Sequence, residues 1–427
     1  MTGRIGRGVG QGIAVALRSS AAPLLVGIHL AGRKGDERRP DAPPPRWDLR
    51  LVSKAALDEF FFATEMASAT FFSLRDRRRV VHEIGCATRL YEREGWLLEP
   101  SRFHRRPPAL EKVSIDEHRS AFGPFQHLRF ESGYEPHPGE PGRKRFLDYQ
   151  ANRTTHIWTM RHSGPHRSWI VCVPGYRMGH PAVDFTGFRA RWLYRDLGLN
   201  VAIPVMPLHG PRRVGRRGGD GYLSGDFLDT IHAQTQAVWD IRRLIGWLRA
   251  EGAPRVGVQG VSLGGYTAAL LASLEEDLDC VIAGIPAVDF LRLLRSHTPE
   301  ILLRIARGMG IRFDRIEQLL RVISPLAHRP RVPLPKRYLY AGVADRLAPP
   351  DHALDLWHHW DHPRCEWYQG GHVSFLWERN VRDLLQEALT ASGLALPPRP
   401  SRSKRLRKGS ERRKRRARTG GLVEAAR

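Results

Sequence analysis

Two spatial rhythms of apolar residues run along this chain. Short apolar stretches recur at Trp169–Val173, Val201–Met206, Val256–Val258, Asp279–Ile285 and Arg337–Tyr340. Stretches this short and this continuous fit strands buried on both faces, as in a parallel sheet. Between them lies a helical period. Phe227–Ala250 places Ile231, Val238, Ile241, Ile245 and Leu248 on one face, which predicts a long amphipathic helix leading into the strand at Val256. Upstream, Gln126–Glu131, Arg145–Tyr149 and Thr155–Arg161 read as strands. Before them, Ser53–Ala67 predicts a helix capped by Ser53, with Leu57, Phe60, Phe61 and Met66 as its apolar face. A second helix is expected over Arg78–Gly95. The alternation predicts an α/β protein with a mostly parallel central sheet and helices on both faces. Its expected parts are an irregular leader and linker over 1–50, an N-terminal helical extension over 51–120, a sheet domain over 121–396 and a tail over 397–427. About 290–335 reads as a helical insertion between two strands.

One run carries chemistry. Val256–Tyr266 reads Val-Gly-Val-Gln-Gly-Val-Ser-Leu-Gly-Gly-Tyr, a strand, a tight turn holding Ser262, and a small-residue helix. Gly260 and Gly264 flank the serine where a Cβ would crowd the turn, and the N–H of Leu263 points where an oxyanion would form. A serine needs a base, and the base an orienting carboxylate. Asp345 closes a Gly-containing loop after the strand at Arg337, and His372 follows a short strand and a Gly-Gly turn. Asp351, Asp355 and Asp361 are rival acids, and His352, His358, His359 and His362 rival bases. The adjacent His358 and His359 would point about 100 degrees apart on a helix, which disfavours a shared zinc ion.

These motifs, Gly-x-Ser-x-Gly-Gly, Gly-x-x-Asp-x-x-x-Pro and Gly-Gly-His, resemble the α/β-hydrolase superfamily over roughly 120–395. The resemblance implies Ser262 as nucleophile, Asp345 as acid and His372 as general base. It implies an oxyanion hole made by the N–H groups of Leu263 and Tyr176, with His209-Gly210 as a second choice to Tyr176. It also makes the insertion at 290–335 a cap. More narrowly, the layout resembles the alpha/beta hydrolase domain-containing protein 18-like group, which implies a lipid ester substrate. The implied activity is cleavage of a carboxylic ester or thioester through an acyl-enzyme, with no metal or cofactor. A peptidase of the same fold, or a non-catalytic scaffold, are the alternatives.

Charge and cysteine content adjust this reading. The net charge is +24 over 427 residues, and 397–427 alone holds thirteen Lys or Arg against two Glu. Within it, Ser401–Arg418 has almost no apolar residues to build a core, and the segment lacks aromatics to stack on bases, so it predicts a disordered tail making salt-sensitive contact with polyanions or an anionic membrane. Arg177, Arg212 and Arg213, near a Gly- and Arg-rich loop at 209–226, are candidates for binding an anionic part of the substrate. Four scattered cysteines fit no disulfide framework or metal motif and predict a reducing compartment. The apolar runs Ile13–Leu17 and Leu24–Leu30 fall short of the ~20 residues that span a bilayer. A cytoplasmic protein, able to touch a membrane peripherally, is the expectation. The sequence gives no oligomeric state.

Overall fold

The computed structural model describes residues 41–396, apart from 69–73, 224 and 299. The leader and the basic tail therefore lie outside the described residues. The strands are β1 (Ser114–Ser120), β2 (Gly123–Glu131), β3 (Thr154–Met160), β4 (Trp169–Val173), β5 (Asn200–Pro204), β6 (Val256–Val261), β7 (Cys280–Gly284), β8 (Arg337–Gly342) and β9 (Arg364–Tyr368). They form one sheet in the order β1-β2-β3-β5-β4-β6-β7-β8-β9. From β5 across to β9 neighbouring strands are parallel, while β1, β2 and β3 enter as an antiparallel ribbon. This is the mostly parallel α/β sheet that the apolar runs predict.

The helices are α1 (Leu49–Ser68), α2 (Leu74–Arg93), α3 (Arg143–Leu147), α4 (Pro181–Gly187), α5 (Ala190–Arg195), α6 (Phe227–Ala250), α7 (Leu263–Leu274), α8 (Phe290–His297), α9 (Glu300–Gly308), α10 (Phe313–Leu320), α11 (Pro350–His359) and α12 (Arg379–Ala391). They cover both sheet faces. In β4, Trp169, Val171 and Val173 point into a core shared with α6 and α7. Ile170 and Cys172 point into a second core shared with α5 and α12. Period-two alternation with both faces dry explains why these strands read as unbroken apolar runs. Each such Val or Ile contributes roughly 1.5–3 kcal/mol by its burial.

Two local expectations are corrected, and one strand had not been expected. Arg145–Tyr149 is not a strand: Gly142, at φ 79°, turns the chain into the short helix α3. There Phe146 is buried and Arg145 reaches Glu83 and Asp229. β1 had no hydrophobic signature, because all seven of its residues are exposed at the sheet edge; charged edge strands resist unwanted pairing. Ser53 does not cap α1. Asp48 does, accepting from Leu51 N at 2.7 Å, while the Ser53 hydroxyl donates to Arg50 O.

The apolar face expected on α1 is also on the wrong side. Leu57 and Phe60 are 37% and 56% exposed, whereas Asp58 and Glu59 are 0% and 2% exposed. The buried side runs through Leu51, Ala55 and Asp58. The helix turns its acids inward because the backbone beneath it offers N–H groups that need acceptors.

Candidate active site

The turn after β6 is built for close approach. Ser262 sits at φ 57° and ψ −115°, ahead of the first turn of α7. A non-glycine residue held there stores about 1–3 kcal/mol of strain. Its N–H donates to Gly284 O at 2.9 Å, which pins the turn to the end of β7. A Cβ on Gly260 would overlap the carbonyl of Gly264, and one on Gly264 would overlap the carbonyls of Val173 and Pro174. The two glycines are therefore steric requirements of the turn. Ser262 is half-buried, and among the described residues its hydroxyl has no hydrogen-bond partner.

Leu263 is the first residue of α7, so its N–H is one of the groups a helix leaves unpaired. Facing it is the loop after β4. A Cβ on Gly175 would stand 3.5 Å from Ser262 Cβ, so this loop passes directly over the serine and carries Tyr176 with it. Two neighbours steady Tyr176. The His209 ring meets it edge-on with centroids 5.5 Å apart, and the Arg177 guanidinium lies 4.9 Å from its ring centroid. His209 is fully buried. Its Nδ1–H donates to Pro207 O at 2.8 Å, and burial lowers its pKa to about 4. It lies beneath Tyr176 as a neutral prop.

Asp345 and His372 are brought together. The Asp345 carboxylate lies beyond the end of β8, and its Oδ1 accepts the N–H groups of Leu347 and Ala348 at 2.9 and 2.8 Å. Its Oδ2 accepts from His372 Nδ1 at 2.7 Å. Both residues are buried. Among the described residues, His372 Nε2 is left without a partner. Burial would lower the His372 pKa, but the charge and hydrogen bond of Asp345, joined by the charge of Asp58, raise it above the ordinary 6.5.

None of the rivals competes for this geometry. Asp355 pairs with Arg292 at 2.5 Å, and Asp361 is 79% exposed. His352 is buried with its pKa lowered to about 4, chiefly by burial. His358 stacks edge-on against His362, and His359 donates to His328 O. No cluster of three or more His, Cys, Asp or Glu among the described residues could hold a metal ion.

The arginines part company. Arg212 is not a substrate ligand. Its side chain is 0% exposed and donates to Asp240 at 2.8 Å and to the carbonyls of Val205 and Asn152, each at 3.0 Å. It is a structural cation that braces the loop after β5 against α6. Removing Asp240 would leave this charge buried and unpaired, so Asp240→Ala is expected to lower stability by about 3–5 kcal/mol, measured by urea unfolding. Arg177 spends its guanidinium on Gly218 O and Asp220, at 2.7 and 2.9 Å. Arg213 is exposed.

Helix α1 contributes residues that no sequence motif announced. Asp58 Oδ2 accepts the N–H groups of His372 and Arg346 at 2.5 and 3.2 Å, and its Oδ1 that of Val373 at 3.1 Å. Glu59 takes both ends of the Arg346 guanidinium, at 2.9 and 2.7 Å. Lys54 Nζ donates to Gln369 O at 2.9 Å. The one available signal was an acidic pair, Asp58-Glu59, set among the apolar residues Ala55–Phe62.

No family model matches the chain. A curated relative, the uncharacterized protein MT2702 of Mycobacterium tuberculosis (strain CDC 1551 / Oshkosh), is 41% identical over 394 residues, covering 91% of this chain and 94% of its own. The chain belongs to one family with that mycobacterial protein. Acetyl xylan esterase 1 from Thermoanaerobacterium sp. JW/SL YS485 is 16% identical, covers 70% of this chain and 93% of its own, and gives a TM-score of 0.48. An acetyl xylan esterase from Paenibacillus sp. R4 is 13% identical, covers 70% of this chain and 99% of its own, and gives 0.49. The strand order, with a strained serine at the turn after a central strand, decides the wider relationship.

Its fold is that of the α/β-hydrolases.

In this fold, Ser262, Asp345 and His372 follow β6, β8 and β9, all at the C-terminal edge of the sheet, where open α/β folds place their ligands. Three helices, α8 to α10, occupy the insertion between β7 and β8. His297, at the end of α8, donates to Leu347 O at 2.8 Å and so ties the insertion to the loop of Asp345. No described helix is long and apolar enough to cross a membrane.

Proposed function

We propose that this α/β-hydrolase is a serine hydrolase that cleaves a carboxylic ester or thioester. The observation that carries the reading is the hydrogen bond of 2.7 Å from His372 Nδ1 to an Asp345 carboxylate already fixed by two backbone N–H groups. That bond commits Nδ1 to the proton and leaves Nε2 as the basic lone pair. Ser262 attacks the acyl carbon while His372 Nε2 takes the hydroxyl proton. Charge developing on the carbonyl oxygen is met by the N–H groups of Leu263 and Tyr176. The imidazolium then protonates the departing alcohol or thiol, and water deacylates the enzyme by the same base. The unpartnered Ser262 hydroxyl is compatible with this, because such contacts tighten only in the substrate complex.

Helices α8 to α10 act as the cap of this site. The tail at 397–427 adds non-specific contact with polyanions or anionic lipid. A fluorophosphonate probe and a panel of p-nitrophenyl esters of increasing chain length test the reading. Covalent labelling with turnover supports it; a folded wild type that neither labels nor turns over any ester overturns it.

A pH profile follows from the environment of His372. The base works only when neutral, and its pKa is raised above 6.5. The acidic limb of kcat/KM is therefore expected above 6.5, with turnover rising through it towards alkaline pH. A limb below 6.5 would contradict the Asp345 pairing.

A further inference from the structure

We propose that Asp58, on the N-terminal helix α1, is a positioning residue of the catalytic unit that acts through His372. It fixes the loop of the base against the loop of the acid, and it adds negative charge behind the imidazole. The proposal rests on the triad reading above and goes beyond it by placing a fourth, distant residue in the machinery.

The geometry makes the case. One carboxylate gathers three N–H groups from two loops: Arg346 beside the acid, and His372 and Val373 at the base. The protein has made room for it. A Cβ on Gly371 would come within 2.7 Å of Asp58 Cγ, so the residue before the base must be glycine while Asp58 stays where it is. The rest of the helix reinforces the clamp: Glu59 holds Arg346, and Lys54 holds Gln369 O and Glu378. An apolar side chain at position 58 could fill the space but would orphan those N–H groups, at about 1–3 kcal/mol for each one left buried.

The charge has a second consequence. Asp345 faces His372 from the acid loop, and Asp58 faces it from α1. Arg346 and Glu59 pair with each other beyond Asp58. Lys54 and Glu378 pair at the far side of the base loop. The Tyr368 hydroxyl donates to Gly371 O at 2.9 Å, and His352, on α11, feels the Asp345 charge. Within this setting the two carboxylates are the anions that favour the imidazolium. Burial, and next the nearby Asp345, push the Asp58 carboxyl up to about 7, against the pull of His372 and of the N–H groups. At alkaline pH, where the base is active, Asp58 is therefore charged.

The test is Asp58→Asn in the full chain, read in two ways. One reading is kcat/KM on p-nitrophenyl esters against pH. The other is the titration of the His372 ring by NMR, its signals identified among nineteen histidines by their loss in His372→Gln. The expected result is a fall in kcat/KM of about 10- to 100-fold, from misplacement of the base, and a His372 midpoint moved to lower pH. A ring titration that stays in place in the folded variant overturns the proposal, since a merely structural acceptor would leave it unmoved. Should Asp58→Asn fail to fold, Asp58→Ser, smaller and also uncharged, is read in the same two ways, and a His372 titration that stays in place overturns the proposal. Loss of the triad reading is separable, because the ring titration needs neither substrate nor turnover.

Discussion

Ser262→Ala is expected to abolish fluorophosphonate labelling and to lower kcat on p-nitrophenyl esters by about 10⁴- to 10⁶-fold. The magnitude is that of removing the nucleophile from the triad proposed above, where only binding and the proposed oxyanion donors would remain to help water. The substitution should leave the fold untouched. The Ser262 hydroxyl makes no hydrogen bond among the described residues, and the turn is held by the backbone bond from Ser262 N to Gly284 O at 2.9 Å. Stability by urea unfolding should stay at or slightly above that of the wild type, because functional strain at such positions is stored rather than stabilising. Retained labelling in Ser262→Ala would mean that the probe reports another nucleophile.

Asp345→Asn is expected to cost about 10⁴-fold in kcat, by a different route. The new side chain can still accept from Leu347 and Ala348 through its oxygen, as Asp345 Oδ1 does at 2.9 and 2.8 Å. That leaves the amide nitrogen facing His372, in place of an oxygen that accepted at 2.7 Å. An NH₂ group donates, so His372 Nδ1 must become the acceptor and the ring proton moves to Nε2. The base then offers a proton where it should take one. Loss of the charge also removes the main influence that raises the His372 pKa, so the residual activity should reach its plateau at lower pH than in the wild type. Residual activity within tenfold of wild type would overturn the role assigned to Asp345.

Much of this architecture is legible in the sequence, and the exceptions share a cause. Strands buried on both faces announce themselves because burial demands apolar residues at every position, as in Trp169–Val173. The turn at Ser262 is legible because its glycines answer a steric need that is local to a few residues. Asp345 and His372 are legible by their order after the serine and by the loops that present them. What stays hidden is set by partners distant in the chain. Arg212 reads as a loop cation until Asp240 is seen beside it. β1 has no hydrophobic pattern because neither of its faces is buried. Arg145–Tyr149 imitates a strand; Gly142 turns it into a helix, and the carboxylates that hold Arg145, Glu83 and Asp229, are distant in the chain. Helix α1 is the strongest case. Its spacing of Leu57, Phe60 and Phe61 suggests one inner face, but the N–H groups of two loops, far along the chain, draw Asp58 and Glu59 inward instead.

The bond from His372 N to Asp58 joins residues 314 positions apart. On a growing chain, the helix bearing Asp58 leaves the ribosome long before the loop of His372 exists, and its two acids must wait in water until that loop is made. Closing so large a loop is slow and comes late. Any reactivity that depends on this pairing therefore arises only once the chain through Val373 has been made.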